Sequence, residues 1–185
     1  MKYAKEWYLA YTPSHEPVEL FLNGKYRGLY FLTEHIKVSS NRVNITEQDD
    51  NETDSEAITG GWLLEIDNYE EDPHITIYKP EGDALWFTYK SPEELSAKQE
   101  AYITNFLNLA NNAIYEEDKS STEWEKYIDM DALVNYYLTY EIVANREGRQ
   151  NFKAYATSKV SFTLPFLITH HSTHTSARQA ERGTS

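Results

Sequence analysis

Asn23-Gly24 fixes the local topology of the chain more firmly than any other pair of residues. Before it, Val18, Leu20 and Leu22 alternate with Glu19 and Phe21, the period of two expected of a sheet with one buried face. Asn and Gly both accept positive φ, which a two-residue type I′ turn demands at both central positions. The sequence therefore predicts a strand, a tight turn and an antiparallel return over residues 25–33. On that return, Tyr26, Tyr30 and Leu32 fall on one face, and Leu29, Phe31 and Thr33 on the other. Gly28 removes a side chain within the strand and predicts a bulge or a close backbone approach. The return strand delivers Glu34, His35 and Lys37 at its far end.

The rest of the chain divides by pattern. Residues 1–12 predict a short helix, with Tyr3, Trp7 and Tyr11 spaced four apart on one face. Residues 46–55, TEQDDNETDS, read as a solvated acidic loop, because the spacing and the glycine of a calcium-binding EF-hand loop are missing. Strands are expected over 58–66, 74–78 and 84–89, with turns at 68–73 and 79–82. Ser91-Pro92-Glu93-Glu94 then reads as a helix start with a capping box. That helix should bury Leu95, Ile103, Phe106, Leu107, Ala110 and Ile114. Asp129 or Asp131 caps a second helix that carries Leu133, Val134, Tyr137, Leu138 and Ile142 inward and ends near Asn145. Strands followed by helices argue for an α+β fold: an antiparallel β-rich lobe over about 13–90 and a helical part over about 91–155. Residues 156–185 do not match the body, and 170–185 have neither periodicity nor apolar content, the composition of a disordered tail.

Charge narrows the functional classes. The 185 residues hold 30 acidic against 17 basic side chains, a net charge of −13. Such a chain repels phosphate backbones, so nucleic-acid binding is not expected; divalent cations or cationic proteins are the sensible company. There is no cysteine, hence no disulfide and no thiolate metal site. No apolar run reaches membrane-spanning length, and the first residues lack the apolar core of a signal peptide.

Chemistry-bearing candidates follow from spacing. Glu65 and Asp67 lie two apart on one expected strand and so point to one face together with Leu63, while Trp62, Leu64 and Ile66 take the other. Two carboxylates placed so can share a metal ion or flank an acceptor, or simply line a solvated sheet face. Glu141 and Asn145 share a helix face at i and i+4. Gly60-Gly61 is not followed by the Gly-Lys-Ser/Thr of a phosphate-binding loop.

Three segments, in order, resemble the CotH family of spore-coat and secreted kinase-like proteins. The first is Asn23, Gly24, Tyr26, Gly28, Tyr30, Leu32, Glu34 and Lys37, followed by Asn41-Arg42-Val43. The second is the run from Gly60 to Asp67, GGWLLEID, and the third runs from Tyr127-Ile128-Asp129 through residues 140–147, YEIVANRE. The resemblance spans roughly residues 1–155 and implies a truncated, atypical protein-kinase-like domain. By resemblance, the activity is transfer of the γ-phosphate of ATP, with Mg2+ or Mn2+, to Ser or Thr hydroxyls of a coat or surface protein. Glu34 then orients a phosphate-binding cation or a metal, or is a charged strand end; Lys37 reaches phosphate or is a surface lysine. Arg42 is better read as pairing with an acidic strand neighbour. Glu65 and Asp67 are the metal candidates, and Asn145 and Glu147 the catalytic ones. The family's later Gly-Pro-x-Trp-Asp segment has no counterpart after Trp124. The tail beyond about Lys159 is therefore expected to come from a shifted or misjoined reading frame, leaving an incomplete copy of weak or no activity. Family members lie on spore coats or outside the cell. Two other readings are a non-catalytic surface or carbohydrate-binding module, suggested by 15 Tyr, 7 Phe and 4 Trp, and a coat-assembly protein that binds basic partners.

Overall fold

The computed structural model describes residues 11–67, 72–142, 152–156 and 162–163. Two antiparallel strands, β1 (His15–Leu22) and β2 (Lys25–Thr33), form a separate hairpin. A second sheet has the order β4-β5-β3-β6-β7, with β3 (Trp62–Asp67), β4 (His74–Tyr78), β5 (Ala84–Ser91), β6 (Phe152–Ala156) and β7 (Phe162–Thr163). All its pairings are antiparallel. Helices α1 (Ala97–Ile114) and α2 (Met130–Ile142) come between β5 and β6. The fold is α+β, as the sequence pattern implies, and β6 returns after the helices to lie beside β3.

β3 is the central strand and is buried on both faces. Trp62 and Leu64 enter one cluster with Ile75 and Ile77 of β4 and Ile103 and Leu107 of α1. Leu63, between them, points the other way and packs with Tyr11 and Val43. Each large side chain so buried contributes roughly 1.5–3 kcal/mol. The Trp62 indole donates to the Ile58 carbonyl at 2.9 Å, so its polar edge is satisfied inside the core.

The acidic loop over 46–55 is exposed along most of its length, as expected, and it is also docked against the start of α1. Gln99, fully buried near the start of α1, donates to the Gln48 side chain at 3.0 Å and to the Asp49 carbonyl at 3.2 Å. Gln48 passes the connection on to the Gly60 carbonyl. One Asp50 carboxylate oxygen accepts the Glu93 and Glu94 amides at 2.9 and 3.2 Å. The Asp50, Glu52 and Asp54 carboxylates accept backbone amides, while Gln99 and the Lys98 ammonium, which donates to the Thr53 carbonyl at 2.9 Å, bond the loop to the helix.

Helix α1 starts five residues later than the sequence suggests. Ser91 stays in β5, opposite Leu63, and the capping box is Ser96 with Gln99. The chain holds two overlapping start signals, and the one compatible with strand pairing prevails. Ile114, expected inside, is exposed. On α2, Asp129 caps the start by accepting the Ala132 amide at 3.0 Å, but Val134, Tyr137, Leu138 and Ile142 are all exposed. Periodicity marks an apolar face without saying what covers it. The predicted helix over 1–12 falls almost wholly outside the described residues.

The hairpin shows the same limit. Asn23 and Gly24 take the expected positive φ of 52° and 73°. A bulge sits where Gly28 predicts it, since the register shifts between Leu20 and Phe21 with Gly28 opposite Leu20. The shift turns Tyr26 to the Phe21 face, away from Tyr30. Neither face is covered, against the expectation of one buried side.

Gly61 carries the tightest steric constraint. Its φ is +78°, and a Cβ there would collide with the Thr46 carbonyl oxygen. Gly61→Ala is expected to cost at least about 2 kcal/mol through left-handed strain and overpacking. Urea unfolding will show this as a lowered midpoint with an unchanged slope, whereas Gly24→Ala, with nothing within 4 Å of its Cβ position, should cost less.

Candidate functional site

Alternation along β3 puts Leu63 and Glu65 on one face, and the Leu63 side of the sheet carries the segment that follows β2. That segment is a hook. Ser39 donates to the Val43 carbonyl at 3.1 Å and Val43 to the Lys37 carbonyl at 3.3 Å, and Val43 is fully buried against Leu63. Glu34 and Lys37 therefore sit on the side of the sheet that bears Glu65.

Glu34 is a structural node. Its backbone amide donates to the Ser14 carbonyl at 2.8 Å, and its carboxylate accepts the Ser14 amide at 3.2 Å and the Arg42 Nε at 3.1 Å. The Ser14 amide, then the Arg42 guanidinium and the Tyr11 hydroxyl, hold its carboxyl below the usual glutamate value. Burial, then the Glu34 carboxylate, pushes the Tyr11 phenol up to about 12. The Tyr11 hydroxyl is nonetheless buried without a hydrogen bond of good geometry. Arg42 thus takes the structural role expected of it and joins the two arms of the hook. Lys37 is exposed and contributes its backbone carbonyl to the hook.

Glu65 lies mid-strand in the centre of the sheet. Its direct partners across the strands are Thr88 on β5 and Lys153 on β6. Its side chain is only 13% exposed, and its Oε2 lies 3.5 Å from the Lys90 ammonium, which also donates to Asp72 at 3.1 Å. Lys90 is a site residue that sequence reasoning missed: Leu63 pairs with Ser91 and Leu64 with Tyr89, so Lys90 is the extra residue of a bulge, and only the strand pairing brings it to Glu65. The β3–β6 register brings residue Lys153 directly opposite Glu65.

Asp67 ends the same strand, opposite Trp86. Its side chain, and the catalytic candidates Asn145 and Glu147 altogether, lie outside the described residues. Among the described residues no three His, Asp or Glu side chains converge as a metal cluster. Mg2+ keeps several waters and takes one or two carboxylates plus phosphate oxygens, a demand that Glu65 meets in part from the described residues. An ammonium beside a carboxylate is also the pairing that a polyphosphate with a divalent cation calls for. No helix among the described residues is long and apolar enough to cross a membrane.

A family model described as CotH kinase protein matches residues 8–165, spanning the hairpin, the five-stranded sheet and both helices. No curated protein matches the chain, and no solved structure does.

The Glu34 node makes a pH prediction. A carboxyl held low when folded contributes its stabilisation fully above the ordinary value of 4.5 and loses it as pH falls through the folded value. Glu34→Gln should therefore lower the urea midpoint at neutral pH and flatten its fall on the acid side. A variant whose acid limb overlays that of the parent contradicts this assignment.

Proposed function

Because the chain belongs to the CotH kinase family, we propose that it acts in phosphoryl transfer from ATP, with Mg2+ or Mn2+, to Ser or Thr hydroxyls of a protein partner. The observation that supports this reading best is the pair formed by Glu65 of the central strand β3 and Lys90 of the neighbouring β5, on the side of the sheet that carries the Glu34 hook. Phosphoryl transfer asks a protein chiefly for position and charge. In this reading Lys90 neutralises a phosphate oxygen, with Lys37 a second cation at the exposed loop. Glu65 and Asp67 hold the divalent ion, which when bound offsets the charge on the phosphate oxygens. Glu65 also fixes the Lys90 side chain, lowering the entropy lost when phosphate binds. Glu34, through Arg42, keeps the hook closed over the Leu63 side. Asn145 and Glu147 are assigned to positioning the acceptor hydroxyl. The substrate class, a coat or surface protein, and a location on a spore coat or outside the cell are part of this proposal and follow the family.

Thermal unfolding with ATP and Mn2+ tests it. Ligand at a hundredfold excess over its dissociation constant stabilises the folded state by about 2.7 kcal/mol, read as a raised midpoint. Glu65→Gln and Lys90→Met should each weaken nucleotide affinity about tenfold or more. An unchanged shift in both variants contradicts the assignment. A shift with oligosaccharides alone would favour the carbohydrate-binding reading instead.

A further inference from the structure

The β1–β2 hairpin is the largest uncovered apolar feature among the described residues. Two strands alone are marginal in water, yet this pair carries large apolar side chains on both faces. Register and alternation define the face that runs through Val18, Leu20 and Leu22 on β1 and Tyr30 and Leu32 on β2, all at least 36% exposed. Glu16 bounds that stripe at the base of the hairpin and Lys25 at its tip. Across the whole hairpin, Glu16 and Glu19 balance Lys25 and Arg27, so it is neutral within a chain of charge −13.

We infer that this face pairs with the same face of a second copy, related by a two-fold axis near Leu20. Three features favour a copy of this chain over another occupant. With the two-fold axis set across the strands the hairpins run antiparallel and Lys25 at each tip approaches Glu16 at the base of the other, whereas an axis along the strands would set Lys25 against Lys25; the pattern is self-complementary in the first arrangement. Two acidic bodies repel least where their neutral parts meet, with the bulk of the charge held beyond a Debye length of about 8 Å. Five half-exposed side chains offer on the order of 500 Å2 per copy, and about 1,000 Å2 in all lies at the lower limit for a specific pair. The pair is accordingly reversible, forming in the micromolar range. The outer edge of β1 does not join sheets across copies, because Pro17 lacks the amide that an added strand would need; the contact is face to face.

Sedimentation velocity over a range of concentrations tests the pairing. The chain should pass from monomer to dimer, and Leu20→Ser with Leu32→Ser should keep it monomeric at the parent's unfolding midpoint. Glu16→Lys and Lys25→Glu should each weaken the dimer at least tenfold, and mixing these two variants should restore it as a heterodimer. Because the chain has no cysteine, Leu20→Cys provides a clean second readout. With the two sheets about 10 Å apart face to face, it should be captured as a covalent dimer by a short bis-maleimide linker, whereas Asn108→Cys, exposed on α1, should not. A monomer at every concentration overturns the inference. So does a dimer that survives both charge reversals, or equal cross-linking from the two cysteine positions.

Discussion

Burial of β3 on both faces is the constraint on which the structure depends. A strand in the middle of an antiparallel sheet can leave one face to water, and Trp62, Leu63 and Leu64 do not allow that. Trp62 and Leu64 call for a helix and supply the reason α1 lies where it does; Leu63 calls for a cover on the other side and receives Tyr11 and Val43. The covering segment, from Glu34 to Val43, is too short and polar to form a layer of its own. It is closed on itself by the Glu34–Arg42 ion pair and three backbone hydrogen bonds instead. The strand that anchors the fold thus also sets where the charged hook can sit.

Glu65 follows directly from this arrangement. Two residues beyond Leu63, it emerges on the same face at the margin of the apolar cover. A largely buried carboxylate in a chain with a large acidic excess needs a cation, and the neighbouring strand β5 supplies Lys90 in contact. In isolation such a pair contributes little to stability. Its value lies in holding opposite charges at fixed positions where a metal-bound polyphosphate can exchange partners with them. The docked acidic loop differs: its carboxylates bond backbone amides or face water, and its connection to α1 rests on the neutral glutamines Gln48 and Gln99 and on Lys98.

Much of the fold was legible in the sequence, because turn chemistry and alternation are local signals. Asn23-Gly24, the Gly28 bulge, the 79–82 turn and strands β3 to β5 could be read from a few neighbouring residues. The start of α1 could not, because Ser91 and Ser96 each open a capping box and only the pairing of Ser91 with Leu63 decides between them. Nor could the exposure of the hairpin and of α2, since an apolar stripe signals a need for cover without naming its source. At the site, Glu34, Arg42 and Glu65 were visible through strand ends and parity. Lys90 and Lys153 were not, because their relation to Glu65 is a matter of which strands become neighbours. The sequence order places β6 far from β3, and only the sheet brings them together.

The proposed function requires a metal-bound triphosphate on the Glu65 side of the central strand. Paramagnetic broadening of backbone amide resonances by Mn2+ with ATP tests it most directly. The broadening should be strongest at residues 63–67 of β3 and 88–90 of β5, extend into the 34–43 hook, and leave the hairpin tip at Asn23-Gly24 sharp. Broadening centred on the acidic loop over 46–56, or spread evenly over the molecule, would contradict the claim.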